Sequence, residues 1–200
     1  MRKQLCLCTV IALLLCTLSA CSTAPASQTP HQAKPDYTHI SPAHLSAAKA
    51  FLNNIGAGHM AMLGYQAGLQ EMAQEQPGMA ELVARVLSDV TPDDFLYMAA
   101  TAYAHYLSEQ QLNELARLSE DPAIAELFQT VAQHEVQGKQ LDSDEMAKHL
   151  NADQLTAILR FGQSDSARAM KQALPDINRD MEAQVKAFAE DKMIRYLKVL

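Results

Sequence analysis

The sequence has no cysteine after Cys21, few glycines and prolines, only 6% aromatic residues and no long basic run. Without thiols, the body of the chain has no disulfide framework and no cysteine-based metal site. Sparse glycine and aromatics disfavour a β-rich fold, while plentiful alanine, leucine, glutamine, methionine and glutamate favour helices. The formal charge of −7 and the lack of a basic run argue against nucleic-acid binding. With 200 residues, 48% of them apolar, the chain is large enough for one domain with its own core.

Residues 1–20 have the three parts of a secretory signal peptide. Two basic residues open the chain, and small residues follow an apolar run from Leu5 to Leu18, which is short for a membrane span. The next motif, LSAC, ends at Cys21 and resembles the lipobox of bacterial lipoproteins. That resemblance implies cleavage after Ala20 and a diacylglyceryl thioether on Cys21. The alternative is an ordinary signal peptide followed by an incidental cysteine.

Residues 21–40 form a predicted flexible tether, because they are rich in serine, threonine, alanine and proline and show no periodicity. Acyl chains on Cys21 would anchor the protein stably, since each buried methylene contributes about 0.8 kcal/mol. Cleavage after residue 20 changes the formal charge from −7 to −9, which leaves anchoring to the acyl chains because anionic lipid repels an acidic body. In enteric-type sorting, serine at position 22 favours the outer membrane. We therefore expect a lipid-anchored envelope protein at the outer membrane, facing the periplasm.

The remaining residues, 41–200, carry repeated signals for helix starts. These are three capping residues followed by proline and two capping boxes: Ser41–Pro42, Thr91–Pro92, Asp121–Pro122, Ser108 with Gln111, and Asn151 with Gln154. We predict helices over 42–75, 78–90, 92–107, 109–119, 122–137, 144–150, 152–162 and 165–197. The predicted fold is an all-α helical bundle in one periplasmic domain.

Two segments of this domain, about 106–132 and 149–175, repeat each other with an offset of 43 residues. The recurring pairs are Leu107/Leu150, Gln111/Gln154, Leu112/Leu155, Leu115/Ile158, Arg117/Arg160, Leu118/Phe161, Leu127/Met170 and Val131/Leu174. Most are caps or core-type residues, so we expect a scaffold of two helical hairpins packed with a long first helix. The arginines are exceptions; the preferred interpretation is that they face acids at the surface, and the alternative is that they line a shared groove.

The first copy also resembles a family of secreted helical bacterial proteins. The segment YAHYLSEQQLNELARLSEDPAIAELF is similar to the pattern hFTxEELxxLIxFYxSPxGxKL of the bacterial domain-of-unknown-function family numbered two-thousand-fifty-nine. The matching residues are Tyr103, Leu107, Ser108, Gln111, Leu112, Leu115, Pro122 and Ala123. The resemblance covers about residues 45–180. It implies a helical fold and an exported location, and it brings no catalytic residues.

Motifs for chemistry are scarce, since GxSxG, HxxxH and HExxH do not occur. The best metal candidate is GHMAM, where His59, Met60 and Met62 offer ligands that suit copper. On a helix, however, the two methionines point about 200° apart, so flexible core methionines are the preferred interpretation. We predict no metal, no cofactor and no enzymatic activity.

Residues 50–70 carry no charged side chain, yet their polar residues argue against a membrane span. Gly64 and Gly68 are expected to let another backbone approach closely. The alternative for this glycine- and methionine-rich surface is a groove for an apolar ligand. The predicted function is a non-catalytic interaction or scaffold protein of the envelope with a protein partner. The alternative function is binding of an apolar small molecule or lipid between helices.

Overall fold

The computed structural model describes residues 40–136 and 150–197, which form eight α-helices and one 3-10 turn. The helices are α1 Pro42–Asn54, α2 Ala57–Glu75, α3 Ala80–Ser88, α4 Pro92–Tyr106, α5 Glu109–Ser119, α6 Pro122–Val136, α7 Ala152–Gln163 and α8 Asp165–Leu197, with the 3-10 turn at Pro77–Met79. These residues contain no β-strand, so the all-α prediction is confirmed. The predicted signal peptide, Cys21, the tether up to residue 39 and residues 144–149 of a predicted helix lie outside the described residues.

Five of the eight described helices, α1, α4, α5, α6 and α7, begin directly after a predicted capping residue. The Ser41 side chain accepts a hydrogen bond from the His44 amide at 3.1 Å, and the Asp121 carboxylate accepts one from the Ala123 amide at 3.0 Å. Ser108 and Asn151 each form a reciprocal capping box with a glutamine three residues later. Local side-chain bonds therefore satisfy amides that a helix start would otherwise leave unpaired.

The prediction of one long helix over 42–75 is wrong, because the chain breaks it between α1 and α2. Gly56 has a φ of 70°, in the left-handed region that a residue with a Cβ atom adopts only at a cost. Its amide donates to the Asn53 carbonyl at 2.9 Å, as expected where a left-handed glycine ends a helix. The apolar pattern continues on both sides of the break and therefore did not reveal it.

The main core is built by α1, α4, α5, α6, α7 and the first part of α8. Phe51 of α1 lies beside Tyr103 of α4, with ring centroids 5.9 Å apart. Phe128 of α6 meets Phe161 of α7 edge-on at 5.7 Å. Met170 of α8 is fully buried among them. Burying each such side chain contributes about 1.5–3 kcal/mol, so packing is the main stabilising term.

A second core lies between α2, α3, the start of α4 and the C-terminal part of α8. Three aromatic rings form its centre: Tyr65, Phe95 and Phe188. The ring centroid of Tyr65 lies 5.2 Å from that of Phe95 and 6.4 Å from that of Phe188, and the centroids of Phe95 and Phe188 are 6.0 Å apart. Met62 and Leu69 of α2 are buried in this cluster. That face of α2 is therefore core and does not line a groove.

Polar contacts join the C-terminal part of α8 to the C-terminal end of α3. The Lys192 ammonium lies 2.6 Å from the Asp89 carboxylate and 2.8 Å from the Asp89 backbone carbonyl. Hydrogen bonds from Lys192 and Tyr196 hold the pKa of Asp89 below its ordinary value. Because Asp89 caps the C-terminal end of α3, a lysine there also meets the negative end of the helix dipole.

Close backbone approach in α2 occurs at Gly58. A Cβ atom added to Gly58 would lie 2.6 Å from the Pro92 carbonyl oxygen and 3.1 Å from Leu96 Cβ, so α2 and α4 nearly touch there. The prediction that Gly64 serves this purpose is wrong, since a Cβ atom there meets nothing within 4 Å. In the described part of the chain, no helix has the length and apolar character that crossing a membrane requires.

With one exception, the recurring apolar positions are buried or half-buried in both copies of the internal repeat; Leu150 is half-buried, and its counterpart Leu107 is buried. Buried pairs are Leu115 with Ile158, Leu118 with Phe161, Leu127 with Met170, and Val131 with Leu174. The exception is Leu155, which is 41% exposed although its counterpart Leu112 is fully buried. This pattern is compatible with a repeated hairpin scaffold in which the second copy leaves one core-type side chain outside.

Candidate functional site: an arginine groove between the repeated helices

A groove of about 450 Å³ lies between α5 and α7, the helices that open the two repeat copies. Its lining residues are Glu114, Arg117, Leu118, Thr156, Leu159, Arg160, Gln163 and Ser164. We refer to this site as the arginine groove. Its volume falls within the range of small-molecule sites, although the groove is open to solvent.

Helical periodicity explains why these residues share one groove. On α7 the lining residues Thr156, Leu159, Arg160 and Gln163 are spaced by three, one and three positions, which places them on one face. The opposite face of α7 packs Ile158 into the core. On α5 the lining positions are likewise three and one apart, so each helix presents one such face to the shared space.

The two repeat-related arginines, Arg117 and Arg160, face each other's helix across this groove. Of the two alternatives that the sequence leaves open, the structure therefore favours the shared groove. Both side chains belong to exposed residues. Exposed guanidinium groups at a concave surface are well suited to bind carboxylates or other oxyanions, because their planar fork of donors matches two oxygen atoms.

Neither groove arginine has a hydrogen-bond or ion-pair partner among residues 40–136 and 150–197. The other four arginines in those ranges all pair with an acid on their own helix: Arg85 with Glu81, Arg168 with Asp165, Arg179 with Asp176, and Arg195 with Asp191. The chain is acidic overall, so acids for pairing are plentiful. Two arginines in one groove that have no partner within the described ranges are therefore a distinct feature of this surface.

A hydrogen bond explains why Glu114, the groove acid on the same helix, does not pair with Arg117. Glu114 lies three residues before Arg117 on the same helix, the spacing at which ion pairs form. The Glu114 carboxylate instead accepts a short hydrogen bond from the hydroxyl group of Ser166, which is only 2% exposed. This contact holds the carboxylate on the α8 side of the groove and leaves the Arg117 guanidinium available.

The edge of the arginine groove carries apolar surface. Leu159 lines the groove and is 37% exposed, and Leu155 lies one turn earlier on α7. Residues four apart on a helix are neighbours, so the two leucines form a short apolar row beside Arg160. Sequence reasoning missed this row because the repeat assigned Leu155 to the core.

Other residues that the sequence singled out do not come together. His59 is exposed, Met60 is half-buried and Met62 lies in the second core. Within the described ranges, no three histidine, cysteine or acidic side chains are grouped as metal ligands. Cys21, the predicted lipidation site, lies outside those ranges.

The fold and groove together define an all-α protein with an open, arginine-lined surface site. No protein-family model, curated protein sequence or solved structure matches this chain. The resemblances to bacterial lipoproteins and to the secreted helical family therefore stay predictions that depend on the motifs themselves.

Proposed function

We propose that this protein is a lipid-anchored, non-catalytic interaction protein of the bacterial cell envelope, and that the arginine groove contacts a protein partner. The observation that carries the proposal is the pair Arg117 and Arg160, which lack partners among the described residues and line one groove in an acidic chain. A pair of exposed guanidinium groups without a protein partner among the described residues, placed at a concave surface, favours binding of an anionic group from outside the chain.

The predicted anchor strengthens this proposal because it compensates for weak binding. Exposed ion pairs contribute only about 0–1 kcal/mol each, so a groove with two arginines binds weakly by itself. A lipid on Cys21 and a tether of roughly 25 Å would confine the groove and an envelope partner to the same thin layer. Confinement of this kind raises the effective concentration, to the millimolar range for short flexible linkers.

The hydroxyl groups in the groove support a binding role over a catalytic one. The Thr156 hydroxyl donates to the Ala152 carbonyl at 2.8 Å, and the Ser164 hydroxyl donates to the Phe161 carbonyl at 2.8 Å. An activated nucleophile would donate to a general base instead. These two hydroxyls satisfy backbone groups of α7. The Ser166 hydroxyl does donate to the Glu114 carboxylate, but Ser166 is only 2% exposed and does not line the groove. The proposal therefore assigns the groove no catalytic residue, cofactor or metal.

The test is site-specific photocrosslinking of the full chain in its native host. A photoreactive residue replaces Gln163 in the groove or, as a control, the exposed Tyr97 on α4. We expect a specific envelope protein crosslinked from position 163 and a weaker or absent product from position 97. Lipoprotein labelling and membrane fractionation of Cys21→Ser test the anchor, and we expect loss of both the label and the membrane association.

Two results would overturn the proposal. One is hydrolysis of an ester, peptide or glycan panel by the purified protein, since this would make it an enzyme. The other is a lipid that co-purifies with the chain while no protein crosslinks from position 163. That second result would favour the alternative function, binding of an apolar molecule or lipid between helices.

A further inference from the structure

We infer that the partner presents an acidic linear segment to the arginine groove, with carboxylate side chains next to an aliphatic side chain. This inference deepens the proposed function and rests on it. The first support is the charge of the groove, because Arg117 and Arg160 bring two positive charges with no counter-charge among the residues described. Each guanidinium offers two parallel donors to one carboxylate.

The second support is the apolar row beside the arginines. Leu155 and Leu159 lie one helical turn apart, about 6 Å along α7, and both are more than a third exposed. An aliphatic side chain of the partner would cover this row while the carboxylates meet Arg160 and Arg117. The groove therefore selects for mixed acidic and aliphatic character, and a purely polar polyanion would leave the leucines exposed.

The lining also argues against a phospholipid as the occupant. An acyl chain needs a closed apolar slot, whereas this groove contains Thr156, Gln163 and Ser164 next to its leucines. The Glu114 carboxylate is part of the lining as well; it repels phosphate and carboxylate groups alike, so an anion of either kind is kept to the arginine side of the groove. The formal charge of −9 that remains after removal of residues 1–20 repels anionic lipid surfaces.

The test is selection from a randomised heptapeptide display library on the full chain in a neutral detergent. We expect the wild-type chain to enrich peptides in which glutamate or aspartate flanks leucine or isoleucine. R117Q/R160Q should not enrich them. The matched control is R168Q/R179Q, which removes the same charge from two exposed arginines that are already paired with neighbouring acids, and it should enrich the same peptides as the wild type.

One enriched peptide is then synthesised with a fluorescent label, together with its glutamine and asparagine analogue. We expect the acidic peptide to bind at least tenfold more tightly than the analogue, with binding that weakens as salt is added. R117Q/R160Q should remove this difference in affinity. L159S should weaken binding of the acidic peptide and should not make the glutamine and asparagine analogue bind more tightly. R117K/R160K should bind less well than wild type, because lysine lacks the two-donor fork. Circular dichroism confirms that each variant is folded.

Three results would overturn the inference. They are enrichment without acidic residues, equal enrichment by R117Q/R160Q, and binding of phosphatidylglycerol vesicles or inorganic phosphate in preference to the acidic peptide. The failure of this inference is distinguishable from failure of the proposed function. A protein that crosslinks from position 163 but lacks an acidic segment at the crosslink would leave the interaction role intact and remove only the claim about partner chemistry.

Discussion

Two glycines in α2 provide a direct test of how α2 packs against α4. Gly58 is buried where a Cβ atom would lie 2.6 Å from the Pro92 carbonyl oxygen, whereas Gly64 is exposed with nothing within 4 Å of a Cβ atom. Both positions lie within the same helix. Gly58→Ala and Gly64→Ala therefore add the same methyl group to the same element, in its first turn and in its interior respectively, and what that group meets differs sharply between them.

The expected changes in the free energy of unfolding have opposite signs. In a helix interior, alanine is favoured over glycine by about 0.8–1 kcal/mol, so Gly64→Ala should stabilise the fold by roughly 0.5–1 kcal/mol. At Gly58 the same gain is offset by overpacking, which costs about 1–3 kcal/mol. The overlap at Gly58 involves a backbone carbonyl, so no rotamer change relieves it and the helices must separate. We expect Gly58→Ala to destabilise the fold by about 1–2 kcal/mol.

Urea unfolding followed by circular dichroism measures both changes, in a Cys21→Ser background that removes the predicted acylation. The difference of about 2 kcal/mol between the variants corresponds to a separation of roughly 4–8 °C in Tm for a chain of this size. Equal m values would show that both variants unfold from the same compact state. If Gly58→Ala is as stable as the parent protein, or if both variants shift together, the close approach of α2 and α4 is refuted.

Three further predictions concern single contacts, each measured by urea unfolding. Because the pKa of Asp89 is lowered in the folded chain, its pairing with Lys192 stabilises the fold above about pH 4 and is lost as the pH falls through the lower folded-state value. In Asp89→Asn the free energy of unfolding should therefore fall less steeply below pH 4 than in the parent protein. An unchanged pH dependence would contradict the stabilising role of the Asp89–Lys192 pair. Asn54→Ala should lower the free energy of unfolding by about 1–3 kcal/mol, because the Asn54 side-chain amide donates to the Ala116 carbonyl at 3.0 Å and to the Ser119 hydroxyl at 3.1 Å. A loss of stability below about 0.5 kcal/mol would refute this role. Leu112→Ala should cost about 2–5 kcal/mol and Leu155→Ala about 1 kcal/mol or less, since only the first is buried; equal costs would show that both leucines are core.

Most helix boundaries were predictable because they depend on local chemistry. The capping box at Ser108 and the one at Asn151 involve residues only three positions apart, and the helices that they start match the predicted ones closely. The break at Gly56 was not predictable from periodicity, since apolar residues continue through it. Only the positive φ of the glycine, which the structure supplies, distinguishes this helix end from a tolerated glycine inside a helix.

The candidate site was predictable only in part. The repeat marked Arg117 and Arg160 as recurring polar residues, but whether they share a groove depends on the placement of α5 against α7. The contact that leaves Arg117 available joins Glu114 to Ser166, 52 positions along the chain. No local pattern encodes a contact of this range, and the spacing of Glu114 and Arg117 alone predicts an ion pair between them.

The two copies of the repeat share a scaffold, and sequence differences between them make the two sides of the groove chemically different. The positions that correspond to Glu114 and Ser166 in the other copy are Ala157 and Ala123, so the hydrogen bond between them has no counterpart across the repeat. Among the described lining residues, the acid therefore lies on the α5 side of the groove, while the exposed leucines belong to α7. A ligand meets two similar arginines but two unlike edges, and its carboxylates avoid the Glu114 edge while its apolar group covers Leu155. The asymmetry consequently favours one orientation of a bound segment over its reverse, which is a property that an exact repeat does not have.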